Sequence, residues 1–127
     1  MKTEVMTAFE AEMAAAERLI QAGRLDCAMR HLERAHVLGQ NYVMPHVSSH
    51  WTMLRIALKR RSLAEGWGQA VRIVLGALGS AMGIVPRGNT GGTDISMFAR
   101  LPIDHELAAL FMRESDQQGQ RLPGKRR

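Results

Sequence analysis

Apolar residues recur along this chain at three- and four-residue intervals, and glycine or polar breaks divide them into helices rather than strands. From Glu4 to Ala22 the chain is rich in Ala, Glu and Met, without proline or glycine. Ala8, Ala15, Leu19 and Ala22 form its apolar stripe. Thr7, with Glu10 three residues later, predicts a capping box. Gly23 and Arg24 break this helix. A second amphipathic helix runs from Leu25 to Leu38, with Gly39 as its expected C-terminal cap. Pro45 suits the first turn of a third helix over Pro45 to Ser62. A fourth begins between Leu63 and Trp67 and continues towards Met82, its end weakened by Gly76, Gly79 and Gly83. The turn-rich segment VPRGNTGGTDISMF follows, and then a short helix from Asp104 to Arg113 with Asp104 as N-cap. The expected fold is all-α: about a four-helix bundle that begins with a helical hairpin and closes with a glycine-rich loop and a short C-terminal helix.

Composition adds bounds to this pattern. A chain of 127 residues argues for one domain, placed at residues 1–114, with a disordered basic tail at 115–127. With three Phe, two Trp and one Tyr, the interior must be filled by Ala, Leu and nine Met, which favours helix over sheet. The single cysteine, Cys27, excludes an internal disulfide and fits a reducing compartment. Acids stand where a signal peptide would carry its apolar stretch, so the expected location is cytoplasmic. The longest uncharged, mostly apolar run, Ile73 to Val85, falls short of the roughly twenty residues that a membrane span needs. The net charge of +5 sits largely in Lys59-Arg60-Arg61 and in Arg121, Lys125, Arg126 and Arg127. Without interleaved aromatics or a recognition-helix pattern, that charge describes a solvated surface and speaks against nucleic acid as a partner.

The segment AGRLDCAMRHLERAHVL resembles the hairpin of a tetratricopeptide repeat through Gly23, Leu25, Ala28, Leu32 and Ala35. Small residues at Ala28 and Ala35 let two helices approach closely, with Leu32 filling the space between. The pattern departs from the repeat at Gln40 and at Glu12, where the family has a proline and a bulky aromatic. One repeat does not make a peptide-binding solenoid.

The chemistry-bearing residues are histidines. His46 and His50, four residues apart, share one face of the third helix, and Met53 follows on the same side. In the resembled hairpin the position of His36 faces the next helix, which here carries His46 and His50. Three imidazoles would then converge, with Met53 within reach. Neutral imidazole suits zinc, copper and nickel, and a thioether favours cuprous copper, so the expected cofactor is a transition metal ion, Cu(I) or Zn(II). Three nitrogens leave a fourth position for water, as a zinc hydrolase requires. No carboxylate lies beside the three histidines in sequence, so no acid or base for a reaction is evident, and the reading leans away from an enzyme. Cys27 and His31 form a second pair at helical spacing, and His105 follows the glycine-rich loop. These three are accessory candidates. The loop itself, Gly88, Asn89, Thr90, Gly91 and Gly92, has the glycine content of an anion-binding nest but lacks the spacing of a P-loop.

The strings AHVLGQ, PHVSSHWTML and SAMGIVPRGNTGGT resemble a small bacterial family known as domain of unknown function 3703, over roughly residues 5 to 112. The resemblance implies a role in heavy-metal resistance, with copper, mercury or zinc as the metal. It carries His36, His46, His50 and the Gly88–Gly92 loop over as the matching positions. The function expected is therefore a metal-binding accessory protein, a chaperone or sequestering protein. The alternatives are a helical protein-interaction adaptor, with a protein partner or a homo-oligomer, and a metal-dependent enzyme.

Overall fold

A computed structural model gives the structure of residues 3–84, 89, 91–93 and 99–121. The described residues form five helices and no strand, so the fold is all-α as the spacing predicts. They are α1 (Glu4–Gln21), α2 (Leu25–Gly39), α3 (Val43–Lys59), α4 (Leu63–Ala81) and α5 (His105–Arg121). Two antiparallel hairpins, α1–α2 and α3–α4, are joined by packing of α2 on α3. Helix α5 lies on α1, and α4 packs on α3 at the opposite side.

Two apolar clusters hold the first hairpin to its neighbours. Val5, Phe9, Ala35, Val37 and Leu38 meet Leu107 of α5. Ala16, Ile20, Ala28 and Leu32 meet Met53 and Ile56 of α3. Ala28, Leu32 and Ala35, the small–large–small face of the second helix, are fully buried. No α4 residue belongs to either cluster. Among the described residues, no helix is long and apolar enough to cross a membrane.

Local chemistry moves several predicted boundaries. The N-cap of α1 is Thr3, whose hydroxyl accepts from Met6 N at 3.1 Å. Thr7 stands inside the helix and donates to Thr3 O, so the Thr7–Glu10 capping box is not formed. Helix α3 starts two residues before Pro45, which still occupies its first turn, where a missing N–H costs no intrahelical bond. It ends at Lys59 rather than Ser62, because Arg61 turns left-handed at φ 55°. Ser62 instead caps α4 by accepting from Glu65 N. Asp104 does cap α5, its carboxylate accepting from Glu106 N at 2.9 Å. That helix runs on to Arg121, past the predicted end at Arg113 and through residues 115–121 of the predicted tail. Polar composition alone does not stop a helix, and Arg113 and Gln117 tie this half to Glu4 at the start of α1. Residues 122–127 lie outside the described residues.

Gly39 is not the C-terminal cap that its sequence position suggests. It is the last residue of α2, and Gln40 caps in the right-handed region. Its lack of a side chain serves close approach. A Cβ there would stand 2.8 Å from the Pro45 Cβ, closer than side chains come, and 3.0 Å from the Phe9 ring, tighter than most contacts. Gly39→Ala is therefore expected to destabilise the protein by about 1–3 kcal/mol through overpacking at the α2–α3 turn. Urea denaturation of the purified variant measures this, and an unchanged midpoint would refute the packing argument.

Candidate functional site

The α2–α3–α4 side of the molecule is organised around three buried histidines. His36 comes from the last turn of α2, and His46 and His50 from successive turns of α3. They are only 3%, 5% and 2% exposed. Their Nε2 atoms point at one another. His50 Nε2 lies 3.0 Å from His36 Nε2 and 3.2 Å from His46 Nε2. The ring centroids are 4.5 to 5.0 Å apart. Among the described residues, this is the one group of three or more His, Cys, Asp or Glu with ligand atoms close enough to share an ion.

The outward nitrogens fix the protonation of the rings. His36 Nδ1 faces the backbone carbonyl of Asn89 at 2.7 Å, and a carbonyl only accepts, so Nδ1 carries the proton. His50 Nδ1 faces Gln69 Oε1 at 2.7 Å, and Gln69 Nε2 donates to Gly91 O, which identifies the amide oxygen as an acceptor. Ser80 Oγ gives its one proton to Gln40 O at 2.7 Å, so it must accept from His46 Nδ1. All three rings are thus Nδ1–H tautomers with inward Nε2 lone pairs. Such partners on the second nitrogen orient imidazoles and raise their basicity as ligands.

Charge does not relieve this arrangement. Burial pushes His46 and His50 down to about 4, with the charge of Arg72 adding to the effect on His50. Burial, and then the neighbouring His50 and His46, hold His36 well below its ordinary value. Near neutral pH the rings are uncharged, and lone pair faces lone pair at van der Waals distance or less. Three imidazoles on one tetrahedral ion at about 2.05 Å would have nitrogens about 3.3 Å apart. The 3.0 and 3.2 Å from His50 to its two neighbours are within a few tenths of an ångström of that spacing, and all three ligand atoms lie within 4.8 Å of one another.

Glycines make room for the rings. A Cβ at Gly76 would stand 3.0 Å from the His46 ring, and one at Gly91 would stand 2.7 Å from the His36 ring. Gly91 also has φ +79°, a left-handed conformation that glycine adopts freely. Asn89 brackets this segment: its side chain accepts from Gly91 N at 2.9 Å and donates to Ala99 O at 2.8 Å. The Gly91 N–H is therefore spent within the loop rather than presented to an anion. Gly92 is buried, and Gly88 and Thr90 lie outside the described residues.

The other predicted participants have surroundings of their own. Met53 is buried in the apolar cluster of Leu32 and Ile56, and it lines a cleft of about 450 Å³ that also reaches Gln69. His31 pairs with Glu12 at 2.6 Å. Cys27 lies between the guanidinium groups of Arg24 and Arg30. His105 is exposed at the start of α5. Sequence reasoning missed Gln69, Ser80 and the Asn89 carbonyl. A signal for the first two was present: Gln69, Gly76 and Ser80 are seven and eleven residues apart, which puts a glycine and two polar side chains on one face of an otherwise apolar helix.

A sequence model of the family described as "Protein of unknown function (DUF3703)" matches residues 3–111. The chain belongs to this family. No curated protein and no solved structure matches it.

The depressed histidines make stability depend on pH with a definite sign. In the unfolded chain each ring takes up a proton below about 6.5, while in the folded chain His46 and His50 resist protonation down to about 4. The unfolded state binds more protons across that window, so stability is full above it and is lost as pH falls through it. The metal-free protein is expected to lose about 1–3 kcal/mol per ring between pH 7 and 4.5. The variant His46→Ala/His50→Ala should show a flatter profile by denaturant titration. Equal slopes in the two proteins would contradict the assignment.

Proposed function

We propose that this member of a family without an assigned activity is a transition-metal-binding accessory protein whose ligands are His36, His46 and His50. The observation that carries the reading is the set of three inward Nε2 lone pairs, each enforced by an acceptor on the opposite side of its ring. Two kinds of cation can satisfy such a centre, a proton or a metal ion. Burial works against the proton near neutral pH, and a metal ion bonded to three nitrogens recovers far more of the desolvation cost.

The donor set favours a singly charged ion. All three ligands are neutral, and the charge of Arg72 is felt at His36 and His50. A divalent ion would bring its whole charge into a low-dielectric site without an anionic ligand among the described residues. Cu(I) carries half that charge and suits imidazole, whereas Zn(II) completes a tetrahedron with a fourth ligand. The reading is therefore Cu(I) first and Zn(II) second, in a sequestering or chaperone role within metal resistance.

Titration of the untagged, reduced protein with Cu(I) against a chromogenic chelator tests this. Tight 1:1 binding is expected for wild type, with a loss of at least roughly a hundredfold in His46→Ala/His50→Ala. Gln69→Leu, which leaves all three ligands in place, is expected to cost about 10–100-fold. Because protons do not compete for His46 and His50 until about pH 4, affinity should persist at pH 5.5. Equal, negligible affinity of wild type and the double variant for both Cu(I) and Zn(II) would end the proposal.

A further inference from the structure

Helix α4 reverses the usual distribution of side chains on a surface helix. Its exposed residues are Leu63, Ala64, Trp67, Val74, Leu75, Leu78 and Ala81, and its two charged residues, Glu65 and Arg72, are only partly exposed. Leu63 is 86% exposed, Trp67 74%, Val74 61% and Leu78 58%, and Met82 just beyond the helix is 71% exposed. The face opposite α3 thus carries a continuous apolar stripe without a charge. Together these side chains offer apolar area of the order of the ~800 Å² per partner that a stable interface buries. Isolated monomers seldom expose a patch of that size.

We propose that this face is closed by a second copy of the same chain, in an antiparallel α4–α4 pairing about a two-fold axis. Three observations select this occupant. The stripe carries no charge that would recognise an acidic or basic partner, so an identical apolar surface complements it. Its spacing is palindromic: Leu63, Trp67, the half-buried Val71, Val74, Leu78 and Met82 are separated by 4, 4, 3, 4 and 4 residues. A two-fold axis between residues 72 and 73 therefore sets Leu63 against Met82, Trp67 against Leu78 and Val71 against Val74 of the partner copy. Finally, α1, at the other side of the fold, meets α5 over part of its length and otherwise shows polar residues, with Thr7, Glu10, Arg18 and Gln21 exposed. Head-to-tail stacking of the apolar α4 face on α1 would bury those groups, so association closes at two chains rather than growing into a filament.

Sedimentation equilibrium of the full chain at about 1–50 µM tests the proposal. Wild type should sediment as a dimer, at twice the 14.1 kDa of the chain. Trp67→Glu and Leu78→Lys should each weaken association by at least roughly thirtyfold, as hot-spot substitutions do. Combined in one chain, the two substitutions bring a carboxylate of one copy against an ammonium of the other only in the antiparallel register. The double variant should therefore recover part of the lost affinity. Met112→Glu, at an exposed apolar position on α5, should leave the dimer intact. Far-UV circular dichroism checks each fold, and Val74→Lys replaces any variant that loses helicity. A wild type that is monomeric at 50 µM, or a dimer indifferent to Trp67→Glu and Val74→Lys, would overturn the pairing. Recovery absent in a dimerising protein would overturn the register.

Discussion

Three ring nitrogens that must all accept are held facing one another by three groups left only to accept. This constraint governs the half of the molecule built from α2, α3, α4 and the segment around Asn89. The Asn89 carbonyl, the Gln69 amide oxygen and the Ser80 hydroxyl each claim an Nδ1 proton, and each is itself fixed by a further bond or by the backbone. None can be reversed alone. Rotating Gln69 would put an N–H against an N–H and abandon Gly91 O. Turning the Ser80 proton inward would abandon Gln40 O. A buried polar network of this kind is stabilising only when complete, and on the proposed reading a cation completes its centre.

The network also explains how α4 is attached. The two apolar clusters join α1 to α2, α3 and α5, and neither includes an α4 side chain. What α4 presents to α3 is Gly66 beside Leu54, Gly76 against the His46 ring, Gln69 on His50 and Ser80 on His46. Small residues bring the helices together, and polar contacts supply the specificity. With the proposed ion bound, its bonds to His46 and His50 stabilise the orientation that Gln69 and Ser80 already favour. Metal affinity and the docking of α4 then share free energy, because anything that binds only the docked arrangement stabilises it.

Much of this fold is written in local patterns. Helix positions followed from apolar spacing, and the core face of α2 from Ala28, Leu32 and Ala35. The boundaries that moved did so where two local signals competed: Thr3 capped ahead of Thr7, and Arg61 accepted a left-handed turn that frees Ser62 to cap α4. The convergence of His36 with His46 and His50 was legible because all three sit on adjacent helices near one short turn. Their partners were harder to read, since Gln69, Ser80 and Asn89 lie 19 to 53 residues away along the chain. Met53 follows His50 on the buried side of α3, and that side continues into the apolar core, where Met53 packs with Leu32 and Ile56.

Burial of the triad has a kinetic side that bears on what such a protein could do with an ion. Rings that are 2–5% exposed cannot exchange a ligand without movement of a neighbour. A cleft reaches Gln69, the residue that holds His50 Nδ1. Its lining includes Met53, Gln69 and the acids Asp26 and Glu65, both paired with Arg60. Gln69 is thus both a wall of the cleft and the partner of His50 Nδ1, so an ion using this route displaces the group that orients one of its ligands. Release along the same path requires Gln69 to leave two hydrogen bonds while the ion leaves three nitrogens. Binding and release along one path share a transition state, so displacement of Gln69 slows both, and the affinity of three imidazoles for the ion sets their ratio. If the proposed ion is bound, burial of the rings makes its exchange slow in both directions, and slow exchange from a high-affinity site suits retention better than rapid hand-over.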